Sequence, residues 1–306
     1  MSGNTTPVDE VLLQGMPLPR HEDGEDKNER GRVAVVGGGA EIPGAVLLAG
    51  VAALRAGAGK LLVATARSTA APLAIALPEA RVVGLRETPA GGLAPEAAET
   101  LAEQCGRYDA LVLGPGMVDP EAVAELTGEL LRRIEGVHFV LDAASLYCLA
   151  DCRGSLRRHG GRAVLTPHAG EMAGLLGVPE TAVQADPLGA ARQAAADLQA
   201  VVVMKGGRTF IVTPQGQAWS CDRGNVGLAT SGSGDTLAGI IGGLLARGAV
   251  PAEAALWGVF LHGEAGARLA RRVGRVGFLA REIPAEIPSI MAEFDAVDSA
   301  GAITPR

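Results

Sequence analysis

The chain has 306 residues and a formal net charge of −7, and its hydrophobic content is 48% although only 3% of its residues are aromatic. The negative charge argues against a nucleic-acid-binding surface, which requires clustered Lys and Arg. No run reaches the roughly 18 apolar residues of a membrane span, so we expect neither a nucleic acid nor a membrane as a partner. The core must consist mainly of Ala, Val, Leu and Ile.

The four cysteines are Cys105, Cys148, Cys152 and Cys221, and their spacing shows no disulfide framework. This favours a reducing, cytoplasmic location, and no apolar signal sequence is apparent at the N-terminus. Cys148 and Cys152 are four residues apart and could share a helix face. A zinc site would need two further ligands, for which His159 alone is a poor candidate. We therefore predict core thiols and no metal site built from protein ligands alone.

Three segments are expected along the chain. Residues 1–30 read as an arm, with a short helix in VDEVLLQGM and then a charged linker, and residues 296–306 read as a tail. Residues 31–295 alternate strand and helix patterns without an internal repeat. They open with the strand RVAVVGG, the helix PGAVLLAGVAALRAG and the strand KLLVATA. A unit of this kind with a short crossover predicts parallel strands.

The alternation continues toward the C-terminus. Further strand patterns are ARVVGL, YDALVLGPG, VHFVLDA, GRAVLT and VVVMKGG, and TFIVTPQGQAWSCD predicts two strands around a Pro-Gln-Gly turn. Helix patterns are APEAAETLAEQCGR, PEAVAELTGELLRRIEG, the end of TPHAGEMAGLLG, PLGAARQAAADLQA, a helix from near Gly234, one over 252–272 and a shorter one in REIPAEIPSIMAEF. We predict one α/β domain with a mostly parallel central sheet and helices on both faces.

Ligands of such sheets bind beyond the carboxyl ends of the strands, where this chain concentrates glycines and polar residues. Two familiar phosphate-binding loops fail here. A Rossmann fingerprint needs a third glycine where Ile42 stands, and an acid where Ala66 and Arg67 end the next strand. A Walker A string does not occur either. Phosphate would therefore have to be bound in another way.

The segment TSGSGDTLAG supplies another way. Gly232 and Gly234 let consecutive amides point into one space, and the helix that follows adds its unpaired N–H groups and the positive end of its dipole. We predict an anion hole at Gly232, Ser233 and Gly234, with Asp235 acting on a hydroxyl beside it. The alternative is that Asp235 only complements the helix start, but an ordinary cap needs no such run of Gly, Ser and Thr.

The longer segment GNVGLATSGSGDTLAGIIGGLLARG resembles the G-[TS]-G-D signature of ribokinase-like proteins, and more narrowly that of ADP- or ATP-dependent NAD(P)H-hydrate dehydratases. Other motifs similar to that family lie in the same order within about residues 31–288: GRVAVVGGG, LVLGPGM, VLDAASL, VLTPHAGEMAGLLG, VVVMKGGRTFIVTPQG and LWGVFLHGEAG. TPHAGE and LHGEAG favour the dehydratase branch. The segments GGGAEIPGA and ALPEARVVG depart from the family pattern, and both could touch the nicotinamide side of the substrate.

The resemblance implies a ribokinase-like three-layer α/β/α fold and the repair of hydrated NADH or NADPH (the S epimer). A terminal phosphate of ADP or ATP, with Mg²⁺ as counter-ion, moves to the added hydroxyl, and elimination of phosphate restores NAD(P)H. Asp235 would be the base that takes the hydroxyl proton. The family often forms tetramers, so a homo-oligomer is expected.

The resemblance also assigns binding residues by their place in the motifs. Those that would contact the hydrated dinucleotide are Ala45, Gly116, His168 and Asp235. Those that would contact the phosphate-donating nucleotide are Lys205, Gly206, Gly207, Arg208, Thr209 and Gly234.

Some of these positions also have purely structural explanations. His168 follows Thr-Pro and could simply start a helix, and Glu171 suits the helix dipole better than a ligand. Asp142 ends a strand and could position metal or water, or be a buried cap. A lone Lys at the end of a buried strand is unusual, which favours a role for Lys205. His262 lies in an apolar helix and is expected to pack.

Two other functions stay open at this point. A small-molecule kinase of the same superfamily, acting on a thiazole or pyrimidine alcohol, would keep Asp235 and the anion hole but stop after phosphoryl transfer. A nucleotide-sensing protein would bind without turnover. The motifs at His168 and Gly116 favour the dehydratase over the kinase, and Asp235 argues against a sensor.

Overall fold

The computed structural model describes residues 5–21, 24 and 26–301. Its strands, all in one sheet, are β1 (Thr6–Pro7), β2 (Arg32–Val36), β3 (Lys60–Ala66), β4 (Ala80–Leu85), β5 (Ala110–Leu113), β6 (His138–Leu141), β7 (Ala163–Leu165), β8 (Val201–Met204), β9 (Thr209–Val212) and β10 (Ala218–Cys221). Its helices are α1 (Glu10–Gln14), α2 (Gly44–Arg55), α3 (Arg67–Ala76), α4 (Ala98–Cys105), α5 (Pro120–Arg133), α6 (Ala144–Tyr147), α7 (Arg153–Arg157), α8 (Ala169–Leu176), α9 (Glu180–Ala185), α10 (Pro187–Leu198), α11 (Ser233–Ala246), α12 (Pro251–Arg272) and α13 (Ile283–Gly301).

The sheet runs in the order β1-β10-β9-β8-β7-β6-β5-β2-β3-β4. The strands from β2 to β8 are parallel, and β9 and β10 form the antiparallel pair predicted around the Pro-Gln-Gly turn. The chain leaves β2 toward β3 and β4, then returns to β5 on the other side of β2. This reversal is the topological switch point beside which ligands of open α/β sheets bind.

Both faces of the sheet are covered, because its strands are apolar on both sides. Val33 and Val35 of β2 pack into one core with helices α2, α11, α12 and α13. Ala34 and Val36 pack into the other core with α4, α5, α8 and α10. The prediction of a three-layer α/β/α architecture with a mostly parallel sheet is confirmed.

The N-terminal arm folds onto its own chain. Strand β1 pairs with β10, Leu13 of α1 is fully buried, and the Trp257 indole N–H donates to the Met16 carbonyl at 2.7 Å. The short helix predicted in VDEVLLQGM is present. Residues 22, 23 and 25 of the charged linker and 302–306 of the expected tail lie outside the described residues. The domain boundaries remain a prediction.

Five helices differ from the sequence expectations, because the short helices α6, α7 and α9 were not predicted and α3 and α13 also depart from the pattern. The sequence pattern missed α3, which has Pro72 inside it; proline normally argues against a helix interior because it removes a hydrogen bond. The final helix was expected only within REIPAEIPSIMAEF, but α13 continues to Gly301. In the described part of the chain, no helix has the length and hydropathy that crossing a bilayer would require.

Candidate active site

The site is organised around the first turn of α11. Gly232 is the N-cap residue, with φ of 86° and no side-chain capping hydrogen bond. A side chain at this position would be strained in the left-handed region and would also collide with Leu48. Glycine is therefore required for the chain to turn into α11 at this point.

The helix start leaves free amides, although not the full set that the sequence predicted. The Ser233 amide donates to the Thr230 carbonyl at 3.2 Å, so it is already used. Among the described residues, the amides of Gly232, Gly234 and Asp235 have no hydrogen-bond acceptor. The amides available for an anion at this turn are therefore those of Gly232, Gly234 and Asp235, whereas the predicted Ser233 amide is not available. Anion binding at this turn stays a prediction.

Lys205 places a cation beside this turn. It follows β8, and its Nζ donates to Asp142 Oδ1 at 2.9 Å and lies 3.7 Å from Glu171 Oε2. Burial lowers the pKa of Lys205, but the charges of Asp142 and Glu171 outweigh that effect, so its pKa is raised and the ammonium stays protonated. A Cβ on Gly234 would stand 3.4 Å from Nζ, so the ammonium lies within van der Waals distance of this turn.

Asp142 is buried and belongs to the charged group, but it does not cap α6, whose N-cap residue is Ala143. Only 2% of the residue is exposed, and its Oδ1 accepts from Thr166 Oγ1 at 2.7 Å as well as from Lys205. The next residue, Ala143, has φ of 50°, which L residues rarely adopt. Strained backbone of this kind tends to collect at functional sites. Of the two explanations for Asp142 given by the sequence, the buried cap is wrong, and a role in positioning metal or water stays a prediction.

Asp235 faces this charged group from the first turn of α11. Burial raises the pKa of Asp235 to about 6, with a further increase from Asp142 and Glu171 and a partial offset from Lys205. Among the described residues, none donates a hydrogen bond to its carboxylate. A partly buried carboxylate with a pKa near neutrality is suited to accept a proton.

His168 begins α8 by a reciprocal cap. Its Nδ1 accepts from the amides of Gly170 and Glu171 at 3.0 and 3.2 Å, and Glu171 Oε2 accepts from the His168 amide at 2.8 Å. An accepting Nδ1 leaves the proton of the neutral ring on Nε2. The side chain of His168 is 55% exposed and lines the cleft described next. His168 thus has the structural role, and it also lies where a ligand could reach it.

A cleft of about 730 Å³ opens at the carboxyl ends of β8 and β10, next to the start of β9. Ligand pockets of small-molecule enzymes usually enclose about 300–1,000 Å³. One wall is apolar, with Leu228, Leu237 and Val259. The predicted site residues that line it are His168, Lys205, Gly206, Gly207, Thr209, Ser233 and Gly234.

Other predicted residues lie elsewhere. The Arg208 side chain makes a two-point ion pair with Asp222 at the surface, with N–O distances of 2.5 and 2.9 Å, and does not line the cleft. Gly116 lies against Ala45 at the switch point, where a Cβ on Gly116 would be 2.7 Å from the Ala45 Cβ. These two residues are in contact with each other, and Ala45 is buried. Their assignment to the dinucleotide stays a prediction.

Sequence reasoning missed two polar residues of the cleft wall. His262, expected only to pack, lines the cleft, and its Nε2 lies 3.0 Å from Ser233 Oγ and 3.1 Å from the Ser233 carbonyl. Asn225 accepts from the Gly227 amide through Oδ1, while its buried Nδ2 has no partner among the described residues. The histidine in LHGEAG and the asparagine in GNVGLATSG were the available signals.

In the described part of the chain, no group of three His, Cys, Asp or Glu side chains is arranged to hold a metal ion. The thiols of Cys148 and Cys152 donate to backbone carbonyls, and Cys105, Cys148 and Cys221 are buried. Asp142 and Glu171 offer two carboxylates next to the cleft. Mg²⁺ is commonly bound by one or two carboxylates together with substrate phosphates, so these residues fit a metal that enters with a nucleotide.

Comparison with known proteins gives the family. Residues 33–289 match the family model described as NAD(P)H-hydrate dehydratase. The chain belongs to this family. The resemblance seen in the sequence motifs is therefore confirmed, and it extends over most of the α/β domain.

Individual members of the dehydratase family are similar over nearly the whole chain. An ADP-dependent (S)-NAD(P)H-hydrate dehydratase of Xanthomonas campestris is 48% identical over 285 residues, which cover 93% of this chain and 95% of that protein. A bifunctional NAD(P)H-hydrate repair enzyme of Moorella thermoacetica is 41% identical over 91% of this chain, which spans 52% of that longer relative. The structure of an ADP/ATP-dependent NAD(P)H-hydrate dehydratase from Bacillus subtilis, co-crystallized with ATP/Mg²⁺, superimposes with a TM-score of 0.82 at 31% identity, covering 96% of this chain and 100% of that one.

Proposed function

We propose that this protein is a nucleotide-dependent NAD(P)H-hydrate dehydratase that restores NADH or NADPH from the hydrated S epimer. The observation that carries the proposal is the position of Asp235. Its carboxylate has a pKa raised to about 6 and stands in the same helical turn as free amides, beside a cleft of nucleotide size. Family membership supplies the substrate class, because the similar proteins are named for it.

The first step is phosphoryl transfer. The added hydroxyl of the dinucleotide attacks the terminal phosphorus of ADP or ATP, the bond from phosphorus to the nucleotide's bridging oxygen breaks, and Asp235 accepts the hydroxyl proton. The free amides of Gly232, Gly234 and Asp235 hold the negative charge that develops on the migrating group. Lys205, at the cleft edge, offsets the charge of the neighbouring carboxylates and of the phosphates.

The second step is elimination. The phosphorylated carbon loses phosphate, a neighbouring ring carbon loses a proton, and the dihydronicotinamide double bond is restored. Phosphate is a far better leaving group than hydroxide, which is why the transfer precedes the elimination. The cleft holds the donor nucleotide between the loop after β8 and the start of α11, and the dinucleotide reaches the same turn from the Ala45 and Gly116 side.

In this proposal Mg²⁺ would accompany the donor, and Asp142 and Glu171 are the residues that would hold it. The ion would neutralise charge on the phosphates. The donor is ADP or ATP, which agrees with the names of the similar proteins. We also propose a homotetramer that works in the cytoplasm, on the basis of the family resemblance.

The test is an assay with purified protein, hydrated NADH, Mg²⁺ and either ADP or ATP. Recovery of NADH absorbance only in the presence of nucleotide supports the proposal. A stable phosphorylated alcohol without recovery of NADH would indicate a kinase instead. Nucleotide binding without any reaction would indicate a sensor. The initial rates with ADP and with ATP identify the preferred donor.

A further inference from the structure

A second cleft lies outside the nucleotide site. It has a volume of about 520 Å³ and lies between the loop after β5, the start of α5 and the segment around α6. We call it the distal cleft. Its apolar wall includes Met117 and Val123, and its polar side chains are Asp119, Tyr147, Cys148 and Asp151. Nothing in the reaction described above uses these residues.

The distal cleft lies at the same end of the sheet as the active site. Met117 directly follows Gly116, and Ala144 comes two residues after Asp142. Both loops leave the carboxyl ends of β5 and β6, adjacent strands on the edge of the sheet that also carries Lys205. Strands are spaced about 4.8 Å apart, so the distal cleft is only a few strands away from the charged group. A dinucleotide whose nicotinamide lies at Asp235 has a second nucleoside that must extend away from that carboxylate.

Tyr147 gives this cleft a surface on which a base can stack. Its side chain is 55% exposed in a chain that has only two tyrosines. The ring is supported from behind by α8, since a Cβ on Gly174 would lie 3.2 Å from Tyr147 Cδ1. An exposed aromatic ring that is supported on one face is suited to stack a nucleobase on the other.

The charge of the distal cleft is negative. Asp119 and Asp151 both line it, and among its described lining residues there is no Lys or Arg. Asp119 is held in place as the N-cap of α5, where Oδ1 accepts from the Ala122 amide at 3.4 Å and φ is 70°. In dinucleotide-binding proteins a carboxylate accepts from the ribose 2′-OH, whereas a 2′-phosphate needs an arginine.

We propose that the distal cleft binds the adenosine half of the hydrated dinucleotide, with its base on Tyr147, and that Asp119 and Asp151 discriminate against a 2′-phosphate. This inference rests on the proposed function. It makes hydrated NADH the preferred substrate of this chain over hydrated NADPH. With hydrated NADH, the two carboxylates accept hydrogen bonds from the ribose hydroxyls. With hydrated NADPH, they repel the doubly negative 2′-phosphate.

The first experiment compares kcat/KM for the two hydrated substrates. The wild-type enzyme should prefer hydrated NADH by roughly tenfold or more, because like charges at close range cost at least that factor. In the double variant Asp119→Asn/Asp151→Asn the ratio should fall toward one, chiefly through a lower KM for hydrated NADPH. Asn keeps the cap and tolerates positive φ, so α5 stays intact. The control is Glu125→Gln, an exposed acid of α5 outside the cleft, which should leave the ratio unchanged.

The second experiment separates the two halves of the substrate. Hydrated reduced nicotinamide mononucleotide lacks the adenosine half. Tyr147→Ala should raise KM for hydrated NADH roughly tenfold but should not change kcat/KM for the mononucleotide. An equal loss with both substrates would show that Tyr147 acts on the fold or on the nicotinamide side, and would overturn the assignment of this cleft.

Failure of this inference can be told apart from failure of the proposed function. The discrimination is overturned if both hydrated dinucleotides are turned over at equal rates. It is also overturned if the ratio of their kcat/KM values does not change in the double Asn variant. Neither result contradicts the proposed activity. If neither dinucleotide is turned over, the proposed function fails. Fluorescence titration with the products NADH and NADPH then tests the inference by itself. The wild-type protein should bind NADH more tightly than NADPH, and the double variant should bind the two with equal affinity.

Discussion

Lys205 Nζ donates a 2.9 Å hydrogen bond to Asp142 Oδ1, and the same ammonium lies within 3.7 Å of Glu171. Asp235 is close enough for its charge also to raise the pKa of Lys205. One cation therefore balances three carboxylates at the cleft. This makes Lys205 important both for stability and for binding of an anionic ligand.

We predict that Lys205→Met lowers the free energy of unfolding at pH 7.5 by about 3–5 kcal/mol, because it leaves buried carboxylates without their partner. The substitution should also weaken nucleotide binding. It should shift the acid limb of the pH–rate profile to higher pH, because the charge of Lys205 lowers the pKa of Asp235. Urea denaturation and nucleotide titration measure the first two effects. Lys27→Met, an exposed lysine far from the cleft residues, serves as the control and should leave all three quantities unchanged.

For Asp235→Asn we predict a loss of turnover of about 10²–10⁴-fold, the range typical of a general base. Nucleotide affinity should change little, because the amides of α11 remain in place. In the wild-type enzyme, kcat/KM should rise with pH through about 6, as the carboxylate with that raised pKa ionises. Steady-state assays from pH 5 to 8 test this, and a flat profile over that range would remove Asp235 from the role of base.

The same substitution should stabilise the protein. The pKa of Asp235 is about 6 in the folded state against a reference of 3.8, so between these pH values the folded state binds more protons than the unfolded state. The free energy of unfolding then falls as pH rises through that window. We predict that Asp235→Asn is more stable than the wild type at pH 8, by on the order of 1–3 kcal/mol, and similar to it at pH 4. Urea denaturation at both pH values checks this, with exposed Glu125→Gln as the comparison.

His262 offers a separate test of the helix start. Burial, with a contribution from Lys205, lowers the pKa of His262 to about 4, so the ring is neutral at physiological pH and bonds Ser233. We predict that His262→Ala raises KM for the nucleotide and lowers kcat, each roughly three- to tenfold, as expected when a buried polar group loses its hydrogen bond. His262→Gln should restore part of the loss. Both variants should keep the acid limb near pH 6, because that limb belongs to Asp235.

The N-terminal arm contributes to stability through Leu13. This side chain is fully buried, whereas Val11 on the same short helix is 76% exposed. We predict that Leu13→Ala lowers the free energy of unfolding by about 2–5 kcal/mol, while Val11→Ala changes it by less than about 0.5 kcal/mol. Chemical denaturation of the two variants tests this. Equal effects would mean that α1 does not dock as described.

The sequence predicted the sheet and most helices, because buried strands and helix caps are local signals. Its assignment of a phosphate site to the start of α11 stays a prediction. The sequence could not say which side chains meet across the sheet. The contact between Lys205 and Asp142 joins positions 63 residues apart. The pairing of Arg208 with Asp222, which takes that arginine away from the cleft, depends on the β9–β10 hairpin register.

Two further differences from the prediction, at His262 and at Ser233, have similar reasons. The position of His262 on an apolar helix is equally consistent with packing and with the observed hydrogen bond to Ser233. Hydrophobic periodicity shows which face of a helix is buried, but it does not show which residues contact that face. The Ser233 amide is not free because it donates to the Thr230 carbonyl. This hydrogen bond depends on the geometry of the turn, which the presence of Gly, Ser and Thr does not determine.

Helix α11 crosses α2 at very short range, and this sets where Asp235 can stand. A Cβ on Gly239 would lie 2.7 Å from the Ala49 Cα, and one on Gly243 would lie 2.9 Å from the Ala53 Cα. Any larger residue at either position would push the whole helix outward, and its first turn with it. In the proposed reaction, the alignment of the acceptor hydroxyl, Asp235 and the migrating phosphoryl group would thus depend on two glycines that do not line the cleft. A substitution there should lower activity even where the charged residues are all intact.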